Sequence, residues 1–255
     1  MIKSFNLHVL FLVIAVLSLA GCGSQKDAHK GMSAAEIYAQ AEQNMAKENY
    51  AKAVKDFEAL EARFPYGEYS DKAQFGLMTA YYKRNESALA LASIDRFIRM
   101  NPRHPKVDYA YYLKGKVNFD QNHSFMYRHL PLDRSARETV TAQDSYNAFQ
   151  ELVERYPQSS HVKEAQEHMY KLRDQLANHE LSVIEYYMKR GAYLSAANRA
   201  NFIIRYYDGT EAVPAALSEM SKAYRKLGME SLADEALNKL KTHYPTSSAL
   251  KKAKS

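Results

Sequence analysis

The chain has 255 residues, with 35 basic and 29 acidic side chains, nine glycines, seven prolines, no tryptophan and one cysteine. The charge excess is mild and lysine alternates with glutamate along most of the chain, which argues against the concentrated basic stripe of a nucleic-acid-binding surface and for a solvated exterior. One cysteine rules out an intramolecular disulfide, so a body of this size must be held by packing, and the few glycines and prolines favour helix.

The N-terminus reads as a targeting segment. Met1, Ile2 and Lys3 make a short basic start, and Leu7 to Leu19 form an apolar run too short for a transmembrane helix. Leu19, Ala20, Gly21 and Cys22 close it. This resembles a bacterial lipoprotein signal peptide, which implies removal of residues 1–21 and acylation of Cys22 as the lipid attachment site. Gly23 and Ser24 include no aspartate, which by the same resemblance favours the outer membrane over the inner. A small polar stretch follows, so residues 22–32 are expected to be a lipidated tether. Ser33 and Glu36 then have the spacing of a capping box, and Met32 with Ile37 that of a hydrophobic staple.

Five helix ends recur beyond the tether, at Pro65, Pro102, Pro157, Asp208 and Pro245. Twelve residues before each stands a small residue: Ala53, Ala90, Ser145, Ala196 and Ala233. Eight residues before stand Phe57, Ile94, Phe149, Ala200 and Leu237, and five before stand Leu60, Phe97, Leu152, Ile203 and Leu240. A small residue lets two antiparallel helices approach, the larger ones fill the gap, and proline stops the second helix. The first and last spacings are 37 residues, near the tetratricopeptide period of about 34. Tyr81, Tyr187 and Tyr224 share a register in the preceding helices. The pattern resembles the tetratricopeptide repeat, without its consensus tryptophan. The expected fold is therefore all-α, a superhelix of about five helix pairs.

The two middle spacings, 55 and 51 residues, are longer. Asp120 to Arg137 is polar and contains Pro131, so a loop insertion is expected in the third pair. Ser160 to Arg190 lacks glycine and proline, and its apolar residues mostly step by three or four. One long helix joining the third and fourth pairs is expected there; a break near Asn178 is the alternative. Residues 251–255 are expected to be a basic, solvated tail.

No glycine-rich phosphate loop, nucleophile elbow or two-histidine metal motif occurs. Glu164 and His168 lie one helical turn apart but lack an evident third ligand, so an exposed charge pair is the expectation, with no metal and no cofactor. His123 and His129 read as loop or docking residues. Aromatic residues exceed what a core needs: of Tyr81 and Tyr82, or Tyr186 and Tyr187, only one of each can take the core register. In tetratricopeptide folds the first helix of each pair lines a concave groove, which here maps onto Tyr38, Glu42 and Met45, then Tyr82 and Lys83, then Glu185, Met188 and Lys189. Tyrosine, methionine and lysine suit an extended peptide with an aromatic end and a carboxylate; covering neighbouring helices is the other role open to these tyrosines. Tyr66 and Tyr69 add two more at the end of the first pair.

The strings RFPYGEYS (63–70), AYYK (80–83), IDRFIRMNPRHP (94–105), DRS (133–135) and VIEYYMKRGA (183–192), together with the lipobox, resemble the BamD family, tetratricopeptide lipoproteins of the bacterial β-barrel assembly machinery. Phe125 to Pro131 departs from that family's pattern. The resemblance implies a non-enzymatic scaffold on the periplasmic face of the outer membrane, working with BamA and other Bam lipoproteins. Residues 33–160 would receive unfolded outer-membrane proteins, with Tyr38, Met45, Tyr66, Tyr69, Tyr82 and Lys83 as client-peptide contacts. Residues 161–250 would dock the periplasmic domain of BamA through Arg199, Arg205, Tyr206 and Asp208, where the end of the fourth pair carries charge that packing does not require. An adaptor for other cell-envelope complexes, such as those acting on peptidoglycan, is the alternative.

Overall fold

The computed structural model describes residues 28–123 and 134–253. The signal segment, Cys22, the first part of the tether and residues 124–133, including His129, lie outside the described residues. Among those described, the secondary structure is helical: α1 (Ala34–Ala46), α2 (Tyr50–Arg63), α3 (Ser70–Lys83), α4 (Ser87–Met100), α5 (Val107–His123), α6 (Arg134–Arg155), α7 (Val162–Lys189), α8 (Tyr193–Tyr206), α9 (Ala212–Lys226), α10 (Glu230–His243) and α11 (Ala249–Ala253). From α1 to α10 each helix packs chiefly on its neighbours in sequence, and α11 packs chiefly on α9. The result is five successive pairs, α1/α2 to α9/α10, the tetratricopeptide-like superhelix, with α11 covering the last. The solvated tail expected from residue 251 is corrected as far as Ala253, which is buried where α11 packs and whose carbonyl accepts from Arg225 at 3.3 Å.

Every residue at the three recurring register positions is buried, from Ala53, Phe57 and Leu60 to Ala233, Leu237 and Leu240. Small residues at one position and mostly large ones at the other two, Ala200 being the exception, let the paired helices close on each other. A fourth recurrence lies in the turns inside the pairs. Glu48, Asn85, Gly191 and Gly228, each 17 residues before its helix end, adopt φ of 56°, 59°, 73° and 73°. Glycine serves two of these left-handed positions without cost, whereas Glu48 holds one against its β-carbon.

α7 is continuous for 28 residues, about 42 Å, with no break at Asn178. It carries the core from one half to the other. Ala165, Leu172 and Leu176 join the cluster built on Phe149 and Leu152, while Ala177 and Ile184 belong to the cluster that runs to Ala253. The insertion is shorter than its polar composition suggests, because α5 runs on through His123 and α6 begins at Arg134. Asp120 is no loop residue: it pairs with Lys116 one turn earlier at 2.6 Å, on the polar face of a helix.

At the N-terminus the capping box forms. Ser33 N–H donates to Glu36 at 2.7 Å, and Glu36 N–H donates to Ser33 Oγ at 3.3 Å. The Ser33 N–H bond, joined by one from the Ser33 hydroxyl to the same carboxylate oxygen at 2.7 Å, holds the Glu36 carboxyl below the usual carboxylate range. Met32 packs beside Ile37 on the first core cluster, as the staple requires.

Candidate functional site

The first helices of the pairs bring aromatic side chains together. Tyr38 on α1 and Tyr69 at the start of α3 have ring centroids 5.5 Å apart, and Phe57 stands 6.3 Å from Tyr38. Lys72 lies over both tyrosines, 4.7 Å from the Tyr69 ring and 5.9 Å from that of Tyr38, and pairs with Glu68 at 2.9 Å. The turn preceding α3 sets this geometry: Gly67 takes φ of 104°, and Ser70 Oγ donates to the Pro65 carbonyl at 2.8 Å. Burial, reinforced by nearby Glu42, raises the Tyr38 phenol pKa, whereas hydrogen bonding to Glu68 raises that of Lys72. Two half-buried rings capped by an ammonium can hold an aromatic side chain and a carboxylate together.

The other expected peptide contacts do not gather there. Met45 packs on the first core cluster, Lys83 is exposed in the last turn of α3, and Tyr66 is 90% exposed. Tyr81 takes the core register and donates to Glu58 at 2.6 Å. Tyr82 turns the other way, and its hydroxyl donates to Asp120 at 2.8 Å. Burial, followed by that hydrogen bond, raises its pKa strongly. Tyr82 therefore already ties α3 to α5. Lys72 was missed in the sequence because a lysine one turn from a glutamate reads as ordinary surface charge; its spacing of three from Tyr69 was the available signal.

A second aromatic run crosses from α3 to α7. Phe75 and Tyr109 lie 5.4 Å apart, Tyr109 and Tyr112 6.1 Å, and Tyr112 stacks on His161 at 4.5 Å. Tyr109 and Tyr112, three residues apart on α5, were legible as one face but not as a continuation of Phe75. Deeper in, His168 is not the exposed pair member expected. It sits 4.1 Å from Phe119 and 5.3 Å from Phe149, with its Nε2 3.4 Å from Glu164. Burial lowers the His168 pKa, and a hydrogen bond from Tyr112 leads in lowering that of Glu164.

The residues expected to dock a partner divide in two. Arg199 pairs with the largely buried Glu180 of α7 at 3.1 Å, and the Asp208 carboxylate caps the Gly209 N–H at 2.9 Å. The Asp208 carbonyl also accepts from Arg173 at 2.8 Å. Packing thus uses both. Arg205 instead lies 5.8 Å over the ring of Tyr206, which is 59% exposed and 4.8 Å from Phe202. Among the described residues no group of three or more metal-ligating side chains occurs, and no helix is long and apolar enough to cross a membrane.

Comparison with known proteins places this arrangement in a family. The YfiO model, described as an outer membrane lipoprotein, matches residues 30–240. The outer membrane protein assembly factor BamD of Neisseria meningitidis serogroup B is 41% identical, over 95% of this chain and 93% of the relative. That of Vibrio cholerae is 33% identical over 85% and 90%. A thermophilic tetratricopeptide protein of Thermus thermophilus superposes with a TM-score of 0.39 at 15% identity, over 86% of this chain and 95% of that one. The repeat architecture stands on the helix pairing itself. With 41% identity sustained over almost its full length, the chain belongs to the BamD family of outer membrane protein assembly factors.

Proposed function

We propose that the chain is a non-enzymatic lipoprotein scaffold that receives unfolded outer-membrane proteins and couples them to BamA for insertion. The observation that carries the client role is the Tyr38, Tyr69 and Lys72 cluster, which offers aromatic faces and an ammonium to an extended segment ending in an aromatic residue and a carboxylate. Residues 33–160 form the receiving half. Residues 161–250 form the docking half, with Arg205 and Tyr206 as its exposed contacts and Arg199 and Asp208 holding the surface that presents them. Cys22 is acylated and anchors the chain to the periplasmic face of the outer membrane.

Affinity purification of the full-length lipoprotein from detergent-solubilised outer membranes tests the partner assignment. BamA is expected in the eluate, and its absence, with a different envelope complex in its place, contradicts it. Cys22→Ala is expected to leave the membrane fraction; a variant that stays fully membrane-bound contradicts the anchor.

A further inference from the structure

The segment before α1 is fastened to the first repeat at three places. His29 is 7% exposed, and its Nε2 lies 2.7 Å from Oδ1 of Asp56 on α2. Asp56 is itself 3% exposed and accepts from two α1 side chains, Gln40 Nε2 at 3.0 Å and Asn44 Nδ2 at 2.6 Å. One buried carboxylate thus joins α1, α2 and the incoming chain. The Arg63 guanidinium at the end of α2 donates to the His29 carbonyl, so the main chain is held as well. Met32 packs on the first core cluster, and its N–H donates back to His29 at 3.1 Å, closing a turn in which Gly31 takes φ of 83°. A tether designed only to span distance needs no buried polar anchor, because burying a carboxylate is costly unless every lone pair finds a donor.

We propose that residues 28–32 are a strap that seals the N-terminal end of the superhelix and is locked by the His29 to Asp56 contact. A solenoid's first repeat has no neighbour on its outer side, and the strap supplies the missing cover. It also makes residues 28–32, and not α1 alone, part of the folded body. Resting on the reading of Cys22 as the anchor, six residues separate the lipid from the start of the strap, a span of at most about 20 Å however that stretch is arranged. Any pull on the lipid then reaches α2 through Asp56 and Arg63, and the first repeat cannot swing away from the bilayer independently.

Hydrogen exchange on the full-length chain, wild type against His29→Ala and Asp56→Asn, tests the strap. Both variants are expected to exchange at least tenfold faster over residues 29–33, with α9 and α10 unchanged. Asp56→Asn keeps the size of the side chain and so separates loss of the lock from collapse of the repeat. Unchanged exchange over residues 29–33 in both variants overturns the proposal, as does equal acceleration over the whole chain. The readout does not depend on membrane attachment, so failure of the anchor at Cys22 leaves it unaltered.

Discussion

The ring of Phe149 lies so close to the backbone of Gly115 that a β-carbon on that glycine would stand 2.5 Å from it. Phe57 meets Gly76 in the same way, at 2.2 Å. In each case the large residue at the eighth position before the helix end fills the space that glycine leaves on an adjacent helix, α5 of the same pair for Phe149 and α3 of the next pair for Phe57. These phenylalanine rings are rigid core side chains rather than flexible tips, so a methyl group cannot be absorbed without moving a helix. Gly115→Ala is therefore expected to destabilise the fold by about 1–3 kcal/mol, despite alanine's better helix propensity. Urea denaturation checks this: the midpoint falls with the slope unchanged, and a midpoint at or above wild type contradicts the packing argument.

His168 gives the stability a pH dependence of definite sign. Burial between Phe119 and Phe149 lowers its folded pKa below the ordinary value of about 6.5, so folding favours the neutral ring. The stability linked to that ring is present above about pH 6.5 and is lost as pH falls through the unfolded pKa towards the folded one. Glu164, whose folded pKa is lowered, acts in a more acidic window, since its contribution persists until pH falls through the carboxylate range. Between pH 7.5 and 5.5 the thermal midpoint of the wild type is expected to drop. In His168→Gln that slope should flatten, and an equal slope in both proteins would assign the drop elsewhere.

Arg199 and Arg205 separate a structural role from a docking role. Arg199→Ala strands the Glu180 carboxylate, which is only 15% exposed, and is expected to cost about 1–3 kcal/mol. Arg205→Glu changes an exposed residue at the end of α8 and is expected to leave stability within about 0.5 kcal/mol while weakening co-purification with BamA. Thermal melts and pull-downs on the two variants distinguish these effects. Unchanged co-purification of Arg205→Glu removes it from the docking surface.

The sequence carried the architecture because the superhelix is written in local spacings. Ala53, Phe57 and Leu60 recur with their counterparts at fixed distances from a helix stop, and the uninterrupted run through α7 has a helical period. Contacts between elements were not legible in that way. His29 and Asp56 stand 27 residues apart, and Arg199 meets Glu180 from the preceding helix, with nothing periodic to connect either pair. The polar helix ends around Asp120 and Arg134 resembled a loop because an exposed helix face and a loop share a composition. Tyr82 was legible as a residue outside the core, but its commitment to Asp120, 38 residues later, was not.

The central claim is that the Tyr38, Tyr69 and Lys72 cluster receives the terminal strand of an outer-membrane protein. The direct measurement is calorimetric titration of the full-length chain with a synthetic C-terminal strand of such a protein, ending in an aromatic residue with a free carboxylate. Binding is expected to weaken at least tenfold in Lys72→Ala and equally for the amidated peptide, with no further loss when the two are combined, while Tyr82→Phe binds as wild type. Undiminished affinity in a Tyr69→Ala, Lys72→Ala double variant that retains wild-type helicity would contradict the account.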